Sequence, residues 1–205
     1  MTANKMSAIK NIVFDVGRVL IGVDYCRLYD FIQQHGVILA SEDEFIRRTD
    51  MSAYERGLID TDCFLANLAR LFPTAPSTAE LAAAWLDIFT PIDAMLQLCR
   101  QLKGPYRIYL LSNTNPLHWQ HVVPTYRLEQ CCHGLLTSFD SGLMKPDPAI
   151  YHTAEQHFGI MPHETLFIDD IKENIHGAAV CGWSTIHHIS VEQTRSELSH
   201  FGVVL

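Results

Sequence analysis

Several familiar signatures are missing from this chain. It contains no Gly-x-x-x-x-Gly-Lys-Ser/Thr and no Gly-x-Gly-x-x-Gly, so neither nucleotide-binding fold marked by those glycines is supported. Gly-x-Ser-x-Gly is absent too, which removes the usual serine hydrolase elbow. The six cysteines include no Cys-x-x-Cys pair and are expected to be buried thiols in a reducing compartment. No run approaches the roughly 18 apolar residues that span a bilayer, and no long apolar segment precedes Ile9. A cytoplasmic protein with no membrane partner is therefore expected. Positive charge is scarce: 15 Lys and Arg face 23 Asp and Glu, for a net charge of −8. That balance argues against a nucleic-acid partner. It also means that any phosphate site must be made locally positive, by a metal ion or by a lysine. Repeats and low-complexity stretches are absent.

What is present suits a globular protein. The 205 residues suffice for one domain with a sizeable core and a small insertion. Residues 9–14 read as a core strand that ends at a turn near Gly17. The pattern over 25–89 is helical: 25–34, a helix opened by the Ser41-x-x-Glu44 capping box, 61–71 and 77–89, with no legible strand. After a helix over 91–103, strands at 106–111, 135–139, 166–168 and 185–189 alternate with helices at 116–121, 148–158, 171–181 and 191–201. Such alternation means a parallel sheet covered by helices on both faces, an α/β fold. The helical block is far too long for an ordinary strand-to-helix link. It is expected to be a small inserted domain above the carboxyl end of the first strand.

Four apolar runs end in polar residues: Asp15, Ser112, Lys145 and the pair Asp169-Asp170. In an open α/β sheet, ligands bind beyond the carboxyl ends of the strands, so these groups are expected to converge. Adjacent acids repel each other without a cation, and Mg²⁺ prefers oxygen ligands. Asn174, one helical turn beyond Asp170, can orient a carboxylate or a metal-bound water. Ser112 and Asn113 offer a hydroxyl and backbone N–H groups for phosphoryl oxygens. Lys145 precedes the stiff Pro146-Asp147-Pro148 and can neutralise phosphate. Asp15 is placed to attack phosphorus as a nucleophile. The pairs His118/His121 and His187/His188 lack acidic or Cys partners at metal spacing and are read as solvent-facing.

Phe14-Asp15-Val16-Gly17-Arg18-Val19-Leu20, Leu111-Ser112-Asn113-Thr114-Asn115, Met144-Lys145-Pro146 and Phe167-Ile168-Asp169-Asp170 occur in the order of four motifs. With Asn174 they resemble the haloacid dehalogenase-like hydrolase superfamily, in particular the branch of bacterial glucose-1-phosphatase and the phosphatase domain of soluble epoxide hydrolase. The resemblance implies a Rossmann-like core (1–20 and 91–205) with a helical cap (21–90). It implies Asp15 as nucleophile and magnesium ligand, the Gly17 carbonyl and Asp170 as further ligands, and Asp169 and Asn174 in support. Ser112, Asn113 and Lys145 would hold the phosphoryl group, and Lys145 would steady Asp15.

One departure matters. Most phosphatases of the superfamily carry a second aspartate where this chain has Gly17, and that aspartate protonates the leaving alcohol and then activates water. A positioned acid–base group contributes about 10²–10⁴-fold. Asp24 or a cap residue is expected to replace it, unless the leaving group, like an anomeric phosphate, needs less protonation. The expected activity is magnesium-dependent hydrolysis of a small phosphorylated metabolite, such as a sugar phosphate, by a monomer or homodimer. The alternatives are a 2-haloacid dehalogenase and a catalytically weak phosphometabolite-binding protein.

Overall fold

The protein was analysed as a computed structural model, which describes residues 8–205. The chain starts with β1 (Asn11–Phe14) and β2 (Ile21–Val23) and enters five helices: α1 (Cys26–Gln34), α2 (Glu42–Thr49), α3 (Met51–Glu55), α4 (Thr61–Ala69) and α5 (Thr78–Leu86). It returns through β3 (Phe89–Pro91). Then follow α6 (Asp93–Leu102), β4 (Arg107–Ser112), α7 (Pro116–Tyr126), α8 (Leu128–Cys131), β5 (Gly134–Thr137), α9 (Ser138–Ser141) and α10 (Pro148–Phe158). The last elements are β6 (Thr165–Asp169), α11 (Lys172–Val180), β7 (Ser184–His187) and α12 (Val191–His200).

Five strands pair in parallel in the order β5-β4-β1-β6-β7. Their residues are apolar at successive positions because both faces are covered. Ile12, Phe14, Leu110 and Ile168 point into one cluster with Leu96 and Cys99 of α6 and Leu198 of α12. Val13, Leu111 and Phe167, one residue out of phase, join the opposite cluster with Ile150 and Tyr151 of α10 and Ala178 of α11. Helices α1–α5 bury a third cluster of their own, in which Trp85 lies against Phe64 and Phe45 with ring centroids 4.8 and 5.9 Å apart.

The structure departs from the sequence reading at several edges. Residues 21–23 and 89–91 form a two-stranded antiparallel ribbon where no strand was legible, and the helix expected from residue 91 begins only at Asp93. Each ribbon strand has three residues, too few for an alternation to show. The strand expected over 135–139 is Gly134–Thr137; it stops where the Thr137 hydroxyl accepts from the Asp140 N–H and starts α9. The helix expected over 116–121 runs on to Tyr126 and carries Pro124 in its final turn. Cys26 and Cys63 are exposed, while Cys99, Cys131 and Cys132 are buried, and all six thiols are free. No helix among the described residues is long and apolar enough to cross a membrane.

Candidate active site

β1 lies between β4 and β6, and the chain reaches these two neighbours by connections on opposite sides. The crevice of an α/β sheet opens at such a switch point. Asp15 directly follows β1, and its N–H donates to the Ile168 carbonyl at 2.9 Å, which holds it in line with the sheet. Beyond it the chain turns at once. The Val16 carbonyl accepts from the N–H groups of Leu20 and Ile21, and Arg18 takes a left-handed conformation with φ 57°. Ser112 ends β4, and Asp169 ends β6.

Lys145 comes from the loop after α9 and is the hub of the site. Its Nζ lies 2.8 Å from Asp15 Oδ1 and 2.7 Å from Asp169 Oδ2. The Asn113 amide holds the Lys145 main chain from both ends. Its Nδ2 donates to the Lys145 carbonyl, its Oδ1 accepts from the Lys145 N–H, and both bonds are 2.9 Å. Asp169 is fully enclosed and accepts from Lys145, the Ile171 N–H and Asn174 Nδ2. Tyr151 donates to the Asn174 carbonyl at 2.7 Å and anchors that residue in turn. Asp170 is only half-buried, and its main-chain carbonyl accepts from His187 Nε2.

Carboxylate oxygens of Asp15, Asp169 and Asp170 lie within 4.8 Å of one another. Burial pushes the Asp15 carboxyl up to about 7; the Lys145 ammonium opposes that shift and the Asp169 charge adds to it. Asp170 is also raised, by burial and then by Asp169. Lys145 is raised despite its burial because two carboxylates face it. Two of the three carboxylates pair with one buried ammonium and the third lies beside them, an all-oxygen donor set with surplus negative charge. Such a set fits a hard divalent cation, whose charge reverses both upward shifts.

Beside this cluster lies a cavity of about 70 Å³. Gly17, Ser112 and Asn113 line it from the sheet side, and Tyr25 and Glu55 line it from the helical segment. Burial alone pushes the Glu55 carboxyl up to about 7. Asp24, in contrast, is exposed and accepts from the Cys26 N–H at 2.9 Å, which lowers its pKa. It lies two residues before α1 and is not among the residues that line the cavity, so the expectation that it replaces the missing acid is not met. Glu55 went unnoticed in the sequence because, beside Arg56 at a helix end, it reads as an ordinary surface residue.

Two histidines also depart from expectation. His118 and His188 are buried rather than solvent-facing. His118 Nε2 faces the Trp85 carbonyl at 3.1 Å and Nδ1 faces Asn115 Nδ2 at 2.9 Å. A carbonyl only accepts, so Nε2 carries the proton and Nδ1 accepts from the amide. Burial lowers the His118 pKa to about 3 and keeps the ring neutral. It links α5 to α7 and is a structural tie, as is Tyr54, whose hydroxyl accepts from the Leu117 N–H at 3.1 Å.

Comparison with known proteins sets this geometry in context. The profile of the haloacid dehalogenase-like hydrolases matches residues 9–182. The chain is 31% identical over 201 residues to D-ribitol-5-phosphate phosphatase of Bacteroides thetaiotaomicron, covering 93% of this chain and 97% of that enzyme. The crystal structure of a HAD family enzyme from the same bacterium, in complex with magnesium and inorganic phosphate, has a TM-score of 0.80 at 31% identity. The match covers 87% of this chain and 93% of that one. L-2-haloacid dehalogenase from Xanthobacter autotrophicus shares the fold at a TM-score of 0.61 and 23% identity, over 96% of this chain and 84% of its own.

Proposed function

Because the chain belongs to the haloacid dehalogenase-like hydrolases, we propose that it is a magnesium-dependent phosphatase acting on a small sugar or sugar-alcohol phosphate through an aspartyl-phosphate. The observation that carries this reading is the cluster of Asp15, Asp169 and Asp170 around Lys145. A dehalogenase attacking carbon has no need of three carboxylates at one point. The relatives described above, a sugar-alcohol phosphatase and an enzyme crystallised with magnesium and phosphate, speak for the same chemistry.

In this reading residues 21–90 form the cap and the rest the core. The Asp15 and Asp170 carboxylates and the Gly17 carbonyl hold the cation. When bound, it withdraws charge from the phosphoryl oxygens as a Lewis acid. Asp15 attacks phosphorus in line with the leaving oxygen. Lys145 balances charge on the transferring group and fixes the Asp15 rotamer. Ser112 and the main chain of Asn113 bind phosphoryl oxygens; the Asn113 side chain positions Lys145 instead. Asp169 holds the other side of the ammonium, Asn174 donates to Asp169 and orients it, and both stay out of the reaction.

The test is phosphate release from a panel of pentose, hexose and pentitol phosphates. Turnover is expected with magnesium, with loss of more than about 100-fold in excess chelator and recovery on magnesium addition. Chloride release from 2-chloropropionate that persists in chelator would select the dehalogenase instead. Tight binding of a sugar phosphate without turnover would select a binding protein.

A further inference from the structure

The residue two beyond Asp15 is a glycine, so the turn that carries the nucleophile offers no side chain to protonate the leaving oxygen. Among the polar residues that line the cavity against Gly17, Ser112 and Asn113, Glu55 brings a carboxyl group. It ends α3, and two contacts fix that helix against the core. One is the Tyr54 hydroxyl, which bridges Thr61 and the first turn of α7. The other is Gly57, whose φ of 69° and close approach to the Phe139 carbonyl leave no room for a side chain. Glu55 has no hydrogen-bond or ion-pair partner among the described residues; burial alone acts on it. A part-buried carboxyl group that lines a cavity and has no protein partner is free to meet a bound molecule.

We propose that Glu55 is the general acid and base of this enzyme, supplied by the helical segment in place of the aspartate that Gly17 lacks. This rests on the phosphatase reading. In the first step an Asp15 oxygen bonds to phosphorus, the bond from phosphorus to the leaving oxygen breaks, and that oxygen takes the proton of the Glu55 carboxyl. The products are the free alcohol, the aspartyl-phosphate and a Glu55 carboxylate. In the second step water attacks phosphorus and gives a proton to Glu55, and the bond from phosphorus to Asp15 breaks. Phosphate leaves, the Asp15 carboxylate returns, and Glu55 is again protonated. A carboxyl group that titrates near neutrality suits both directions of transfer. Glu55 does not crowd the nucleophile turn: a Cβ at Gly17 would meet only Val23 Cγ2, at 3.6 Å.

The experiment compares two substrates in the wild-type enzyme and in Glu55→Gln, with magnesium saturating. One is an alkyl phosphate, such as a pentitol phosphate, whose leaving alkoxide needs a proton. The other is p-nitrophenyl phosphate, whose leaving phenolate does not. Glu55→Gln is expected to lower kcat for the alkyl ester by about 10²–10⁴-fold and to lower that for the aryl ester at least tenfold less. Adding Gly17→Asp to Glu55→Gln is expected to restore alkyl ester turnover at least tenfold, because a Cβ at Gly17 makes only an ordinary contact with Val23 Cγ2. Equal losses on both substrates, or no loss on the alkyl ester, would overturn the assignment. Should Glu55→Gln fail to fold, Glu55→Asp, which draws the carboxyl back by one methylene, carries the same comparison. A wild-type enzyme inactive on every phosphate ester counts against the phosphatase reading itself, which separates the two failures.

Discussion

Asp15→Asn lowers magnesium-dependent phosphate release by about 10⁴-fold or more, with the fold intact. An amide has the shape of the carboxylate but neither its charge nor its nucleophilicity. The position is buried, at 7% exposure, so no solvent-borne group reaches phosphorus from the same direction. Removing the charge ends the ion pair with Lys145 but also the desolvation that raises the Asp15 pKa. These effects oppose each other, and the thermal midpoint is expected to move by only a few degrees. Steady-state phosphate release and a thermal melt on the same preparation check both parts. Activity within tenfold of wild type would show that another group attacks phosphorus.

Lys145→Met is expected to damage stability as well as activity. The ammonium is buried and bridges carboxylates on two different strand ends, at 2.8 and 2.7 Å. Methionine fills its volume but leaves those carboxylates without a counter-charge. Breaking a buried ion pair by removing one partner costs on the order of 3–5 kcal/mol. The loss should be largest in chelator and smaller with magnesium, because a divalent cation restores part of the missing positive charge. Urea unfolding of wild type and variant, each with and without magnesium, measures this difference. An identical loss in both conditions would place the cation away from these carboxylates. Phosphate release is expected to fall by at least about 10²-fold, since the transferring group loses its fixed cation.

The core of this site was legible because each of its parts follows an apolar run. Phe14, Leu111 and Ile168 are ordinary buried strand residues, and the polar residue after each of them has no packing reason to be there. Runs of that kind survive in a single sequence because a two-sided sheet leaves no polar face to confuse them. The partner relations were less legible. Nothing in Leu111-Ser112-Asn113 shows that the Asn113 amide clasps the Lys145 main chain, a contact between residues 32 positions apart. The ribbon of residues 21–23 and 89–91 was missed because its three-residue strands stabilise each other only across the whole inserted segment. Glu55 was hidden for a similar reason. Its helix, Met51–Glu55, has five residues, and only docking against α9 and α7 brings its end to the cavity. His118 was misread because its burial comes from Trp85 and Phe89, whose rings lie 4.4 and 4.8 Å away and belong to distant parts of the chain.

The most direct test is to catch the phosphoryl group on the chain. Wild-type enzyme is mixed with excess substrate and magnesium, quenched in acid within the first turnover and digested for mass spectrometry. The expected result is one phosphoryl group on the peptide containing Asp15, absent in chelator and absent from Asp15→Asn. Rapid phosphate release with the group on a different residue, or with Asp15 never modified at any quench time, would contradict the account.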